Sequence, residues 1–278
     1  MSVMDRKIVV INAKNFRDIS KCLCVSGINS TNQWYMRYIV GNWKMYLNEE
    51  ESVRLAREVG ELSVAPGFSC AVFPNTLSFL PVRDVLRNSS FSVGAQNVSW
   101  VPRGAYTGAT SAELFRESGA AYALVGHSER RYIFGEDDSA VRKKIEACID
   151  VGLVPVVCVG EEKHDRDNGK AEYRVKKQLM KVFEGLSIGT QSVIVAYEPI
   201  WAIGTGDACS DTEAARMIGV IKEYVAPYHS GEIPVLYGGS VDAQNVHTYL
   251  SHGIIDGVLI GKASTDVTIF EKIVTEHT

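Results

Sequence analysis

From Met36 onward the chain alternates short apolar runs with longer amphipathic segments, and this rhythm limits the fold more than any other feature. Eight runs recur, centred on Tyr38 to Val40, Cys70 to Phe73, Phe91 to Ala95, Ala121 to Val125, Val154 to Val159, Val193 to Tyr197, Val235 to Tyr237 and Gly257 to Ile260. Most are rich in valine and lack polar alternation, as strands buried on both faces do. A strand–helix–strand order implies a parallel sheet with covering helices. Eight such units can close on themselves, so the expected fold is α/β: a (β/α)8 barrel spanning residues 36–278 as a single domain.

The intervening segments carry helix signals. Ser210-Asp211-Thr212-Glu213 has capping-box spacing, and Ala214, Ile218, Ile221 and Val225 follow at helical period. Residues 136–149 and 168–183 show the same pattern of a charged outer face and an inward stripe. The run Arg142-Lys143-Lys144 reads as a solvated helix face. No linker rich in Pro, Gly or Ser divides residues 36–278. The full length of 278 residues suits one barrel, which typically takes about 250.

Residues 1–35 precede the first βα unit. Arg6, Lys7, Lys14, Arg17 and Lys21 hint at targeting, but Asp5, Asp18 and an apolar stretch of only Ile8 to Ile11 argue against transit and secretory peptides. The expectation is a short N-terminal extension, either dispensable or upstream of a natural start at Met36.

Net charge is −4 and basic residues are scattered, which excludes a nucleic-acid or anionic-membrane footprint. The longest apolar runs fall short of the roughly 18 residues of a membrane span. Six cysteines lack both CxxC pairs and dense spacing, so reduced thiols in the cytoplasm are expected.

Barrels of this kind carry function at the carboxyl ends of their strands. After the first run comes Gly41-Asn42-Trp43-Lys44-Met45, where Lys44 can hold its ammonium over the barrel mouth for a phosphate or a developing oxyanion. Taken alone, it reads first as an ordinary rim lysine. The fourth run ends Gly126-His127-Ser128-Glu129, placing His127 where helix-end dipoles disfavour its protonation. A neutral imidazole there donates to a carbonyl; a structural histidine is the plainer alternative, and the HxE spacing is too weak for a metal site. The sixth run delivers Glu198 ahead of Pro199, and burial beside an apolar wall would raise the basicity of that carboxylate. The alternative for Glu198 is a strand-end carboxylate paired with an arginine.

Ile200 to Gly206 is apolar yet loop-like, as a lid over the site would be. A dinucleotide fingerprint at Gly204-Thr205-Gly206 fails, because those glycines follow a loop and no acidic partner completes the pattern. Tyr237-Gly238-Gly239-Ser240 and Gly261-Lys262 end the last two runs. Glycines there let backbone amides approach an anion, and a helix opening after Gly261 would add its positive end.

Taken together, GNWKM (Gly41 to Met45), GAQNV (Gly94 to Val98), GAYTG (Gly104 to Gly108), VGHSERR (Val125 to Arg131), VCVGE (Val157 to Glu161), YEPIWAIGTG (Tyr197 to Gly206) and YGGSV (Tyr237 to Val241) resemble triosephosphate isomerase over residues 36–278. The resemblance implies a TIM barrel that interconverts dihydroxyacetone phosphate and D-glyceraldehyde 3-phosphate through an enediolate, in glycolysis and gluconeogenesis. It implies Glu198 as the base, His127 as the group polarising the substrate oxygens, Lys44 and Asn42 as stabilisers of the enediolate, and Glu129 as support. Phosphate would meet amides at Gly204, Ser240, Gly261 and Lys262, with Gly239 lining the turn. Trp201 and Gly206 in the lid would guard against loss of phosphate from the enediolate. No metal or organic cofactor is implied. The implied partners are the small phosphorylated triose and a second copy of the chain, with Thr107 bracing the neighbour's Asn42 and Lys44; nucleic acid and membrane are not expected.

Three departures from the family pattern stand out. Ala109 replaces the usual Glu after GAYTG, removing a charge partner for Arg130 across the dimer interface and predicting a weaker dimer. Asp207-Ala208-Cys209 replaces the usual Lys-Thr-Ala at the rear of the lid, which bears on lid kinetics. Lys262 stands where a small residue is commonest, and suits an anion site. Two rival readings are an aldolase with Lys44 as a Schiff-base lysine and a phosphate-sugar-binding barrel without turnover.

Overall fold

The computed structural model describes residues 36–186, 188–203 and 209–275. The expected extension at 1–35 and the lid residues Gly204, Gly206, Asp207 and Ala208 lie outside the described residues. The strands are β1 (Arg37–Asn42), β2 (Phe68–Phe73), β3 (Phe91–Ala95), β4 (Tyr122–Val125), β5 (Val154–Val159), β6 (Ile194–Tyr197), β7 (Val235–Tyr237) and β8 (Gly257–Ile260). Each pairs in parallel with the next, and β8 closes onto β1, with Tyr38 opposite Gly257 and Val40 opposite Leu259. The expected closed (β/α)8 barrel is observed, with strand bounds within two residues of the eight apolar runs.

Successive strand residues point to opposite faces, and both faces are dry. Val40, Phe73, Leu124, Val156, Ala196 and Leu259 fill the barrel interior, while Ile39, Val72, Val125, Val157 and Val195 pack outward under the helices. Polar alternation is absent for that reason. Gly94 shows the closeness of the inner packing: a β-carbon there would lie 2.2 Å from the Phe73 ring, so β3 yields its space to that ring.

The helices are α1 (Glu49–Gly60), α2 (Phe79–Leu86), α3 (Ala112–Glu117), α4 (Ser128–Tyr132), α5 (Asp138–Asp150), α6 (Lys163–Asp167), α7 (Ala171–Phe183), α8 (Asp211–Val225), α9 (Val246–Ser251) and α10 (Val267–Thr275). Several differ from the sequence reading in instructive ways. α5 starts two residues late because the Asp137 carboxylate caps it, accepting from the Ala140 amide at 2.7 Å. The helix expected from residue 168 starts three residues later, at Ala171, because Gly169 at φ +67° separates it from the short α6. At α8 only half the capping box forms: Ser210 Oγ accepts from the Glu213 amide at 3.2 Å, but the Glu213 carboxylate turns to Arg166 and Arg216. After Gly261 the chain makes a 3-10 turn, Lys262–Thr265, and not the α-helix expected there.

Lys144 corrects the reading of Arg142-Lys143-Lys144 as a solvated face. It is buried on the inner side of α5 and pairs with Glu136, with Asn97 Oδ1 2.7 Å from its ammonium. Cys70, Cys148, Cys158 and Cys209 are free and buried, and burial pushes the Cys70 and Cys148 thiols up to about 12. Among the described residues no helix is long and apolar enough to cross a membrane.

Candidate active site

The ends of β1, β3, β4 and β6 carry the polar side chains over the barrel. Asn42 closes β1 and is buried. Its Oδ1 accepts from the Lys44 amide at 3.0 Å, helping to hold Lys44 at φ +49°, in left-handed backbone that a non-glycine residue occupies at a cost of about 1–2 kcal/mol. Gln96, just past β3, holds the same turn from the other side, donating to the Lys44 carbonyl at 2.7 Å and the Phe73 carbonyl at 2.8 Å. The strained turn directs the Lys44 ammonium to Glu129, 2.7 Å away.

His127 lies just beyond β4 and caps α4 with its ring. Nδ1 accepts from the Glu129 amide at 3.2 Å, which leaves Nε2 to carry the ring hydrogen in the neutral tautomer. Nε2 lies 3.1 Å from Glu198 Oε1. Glu198 follows β6, its backbone tied to Val159 by a 2.8 Å hydrogen bond, and its Oε2 accepts from the Ser128 amide at 2.8 Å. Both carboxylate oxygens are thus engaged while only 3% of the side chain is exposed. Gly160 permits this approach of strands, since a β-carbon there would lie 1.7 Å from the Glu198 carbonyl oxygen.

A further layer supports the segment after β6. Glu161 Oε1 accepts from Trp201 Nε1 at 2.8 Å and Tyr197 Oη at 3.0 Å, and the Arg166 guanidinium covers the Trp201 ring at 4.2 Å. Burial raises the Glu161 pKa even against those two hydrogen bonds. Trp201 is thereby pinned at the base of the expected lid.

The other wall is mostly backbone. Asn42, Lys44, His127 and Glu198 face Gly238, Gly239, Ser240, Gly261 and Lys262 across a cavity of about 370 Å³. Gly239 is required: a β-carbon would fall 2.1 Å from the Tyr237 hydroxyl. Ser240 Oγ donates to the Ala202 carbonyl at 2.7 Å, tying this wall to the segment after β6.

Of the residues singled out from sequence, Asn42, Lys44, His127, Glu198, Gly239, Ser240, Gly261 and Lys262 border this one cavity, and Glu129 stands behind Lys44. Gly204 lies outside the described residues. Thr107 is not in the cavity wall; it sits in the exposed loop between β3 and α3. Arg130, considered above for its partner across an interface, pairs with Glu136 of its own chain at 2.7 Å. Sequence reasoning missed Gln96, Glu161 and the Ser128 amide. Gln96 and Glu161 each sit within two residues of a strand end, so the rule that singled out Lys44 would have found them had it been applied to β3 and β5.

A closed parallel barrel with a carboxylate, an imidazole and an ammonium over one end, opposite glycine-lined backbone, defines an acid–base enzyme of the (β/α)8 class. The family model described as triosephosphate isomerase matches residues 37–277. The triosephosphate isomerase of Nostoc sp. is 41% identical over 241 residues, covering 85% of this chain and 97% of its own. That of Synechococcus sp. is 39% identical over 242 residues (85% and 95%), and that of Dehalococcoides mccartyi 39% over 240 residues (84% and 94%). The chain belongs to the triosephosphate isomerase family.

Proposed function

We propose that this chain interconverts dihydroxyacetone phosphate and D-glyceraldehyde 3-phosphate by proton transfer through an enediolate. Glu198 removes a proton from the carbon next to the carbonyl and returns it to the neighbouring carbon, so no proton is gained or lost overall. To reach that hydrogen the carboxylate exchanges its Ser128 amide contact and its contact with His127 for the substrate. His127 Nε2–H then hydrogen-bonds the substrate oxygen on which charge develops, and the Lys44 ammonium and Asn42 amide stabilise the same charge. Glu129 orients Lys44 and, through its amide, the imidazole. Phosphate sits at the amides of Ser240, Gly261 and Lys262, above the turn at Gly239, with the lid amide of Gly204 completing the seat.

The observation carrying this reading is the Glu198–His127 contact of 3.1 Å with Lys44 bordering the same 370 Å³ cavity. A coupled assay on glyceraldehyde 3-phosphate tests it: turnover is expected, and its absence in folded protein favours a binding barrel. Borohydride treatment with substrate is expected to leave Lys44 unmodified; a trapped adduct would instead support Schiff-base chemistry.

The same reading makes the chain a cytoplasmic homodimer. Apolar side chains follow four adjacent strands on the site side of the barrel: Met45 after β1, Leu77 after β2, Tyr106 after β3, Ile133 and Phe134 after β4, all at least half exposed. Thr107, in the exposed loop after β3, braces the neighbour's Asn42 and Lys44. With Ala109 offering no charge across the interface, the dimer is weak, and sedimentation should show dissociation at nanomolar concentration. The barrel from Met36 carries the activity alone; loss of folding or turnover on truncation there would reject that.

A further inference from the structure

Two lysines border the cavity, and their electrostatic situations differ. Lys44 is an ion pair with Glu129 at 2.7 Å, so its charge is matched inside the protein. Lys262 is exposed at the mouth and, among the described residues, has no carboxylate within ion-pair distance. The remaining charged groups of the wall are Glu198 and Asp242. Asp242 is held in place, its Oδ1 accepting from the amides of Gln244 at 2.8 Å and Asn245 at 3.1 Å. His127 Nδ1 is turned to the Glu129 amide.

Lys44 and Glu129 cancel, so among the described residues two carboxylates face the cavity against one unmatched cation, Lys262. Without it, a dianionic group would be held by backbone dipoles and by Lys44, whose ammonium lies 3.7 Å from where a Gly261 β-carbon would sit but is already paired with Glu129. We propose that the Lys262 side-chain ammonium binds the phosphate dianion directly, setting both the affinity for phosphorylated substrate and its dependence on salt. The inference rests on the isomerase reading above and deepens it, since that reading uses only the Lys262 backbone amide.

Contact with a dianion near the surface is worth roughly tenfold in binding at moderate salt. Lys262→Met keeps the length and backbone and removes the charge; Lys262→Arg restores it. For Lys262→Met, KM for glyceraldehyde 3-phosphate is expected to rise about tenfold, with the loss in KM and not in kcat. The inhibition constant for inorganic phosphate should rise by a similar factor, and KM should climb less steeply with ionic strength than in the parent. Lys262→Arg should lie close to the parent in all three. A Lys262→Met enzyme with the parent's KM and salt dependence would overturn the proposal. Should the parent protein fail to turn over triose phosphate, the functional reading falls separately. Calorimetric titration of parent and Lys262→Met with inorganic phosphate then decides the role of Lys262: tighter binding by the parent upholds it, equal binding rejects it.

Discussion

The two walls of the cavity are built by opposite means. On the β1, β4 and β6 side the chemistry lies in side chains, buried or half-buried and locked by contacts: Lys44 by Asn42, Gln96 and Glu129, and Glu198 by His127 and the Ser128 amide. On the β7 and β8 side it lies in backbone exposed by glycine turns, with Lys262 exposed at the rim. A reacting proton tolerates little misplacement, whereas a phosphate is a broad target that several amides can share. Rigidity is therefore concentrated on one wall, and mutations on the two walls should report in different kinetic constants.

The largest effect should come from Glu198→Asp, which withdraws the carboxylate by one methylene and should lower kcat by about 100-fold or more while the thermal melt stays put. A drop under tenfold would remove Glu198 as base and collapse the distinction between the walls. His127→Gln comes next: it loses the oriented Nε2–H and should reduce kcat roughly 100-fold with little change in KM, as steady-state kinetics would reveal. Gly239→Ala should act on the other constant. Its methyl cannot sit 2.1 Å from the Tyr237 hydroxyl, so the turn must shift, raising KM about tenfold with a smaller change in kcat. If kcat fell more than KM rose, the backbone wall would be as exacting as the other.

The smallest effect on turnover, though not on stability, is expected behind the reaction wall. Glu136 accepts from Arg130 at 2.7 Å and from Lys144, whose side chain is 4% exposed. Removing that carboxylate in Glu136→Ala leaves Lys144 buried and unmatched, for about 3 kcal/mol of stability by urea denaturation at neutral pH. Burial acts to raise the Glu136 pKa, but the hydrogen bonds from Lys144 and Arg130 outweigh it and hold the carboxyl below its usual range. A depressed folded-state pKa means that the pair stabilises the fold above the ordinary carboxylate range, and that this contribution fades as pH falls through the folded value. The gap between parent and variant should accordingly narrow as the pH falls below the ordinary carboxylate range; a gap independent of pH would mean that packing, not charge, is at stake.

Much of this was legible in the chain. Valine-rich runs without alternation carried the closed parallel sheet, because double-sided burial removes polar alternation before any coordinate is known. Lys44, His127 and Glu198 were readable as strand-end residues, and Gly239 as a tight turn. Other features were not readable, for identifiable reasons. Lys144 sits in a basic run whose helical phase decides which lysine turns inward, and its acid partner lies eight residues back, across a helix start that sequence placed two residues early. The half-formed capping box at Ser210 failed because Arg166, 47 residues away, captures the Glu213 carboxylate.

Sequence alone determined the number of strands, their parallel order and the kinds of side chain standing at their ends, since these follow from local periodicity and residue chemistry. Only the tertiary structure decided which nitrogen of His127 accepts a hydrogen bond, that Lys44 is matched by Glu129, and that Glu198 rests against the Ser128 amide. Each of those outcomes depends on groups far apart in the chain meeting within about 3 Å, the range over which hydrogen bonds and ion pairs are chosen.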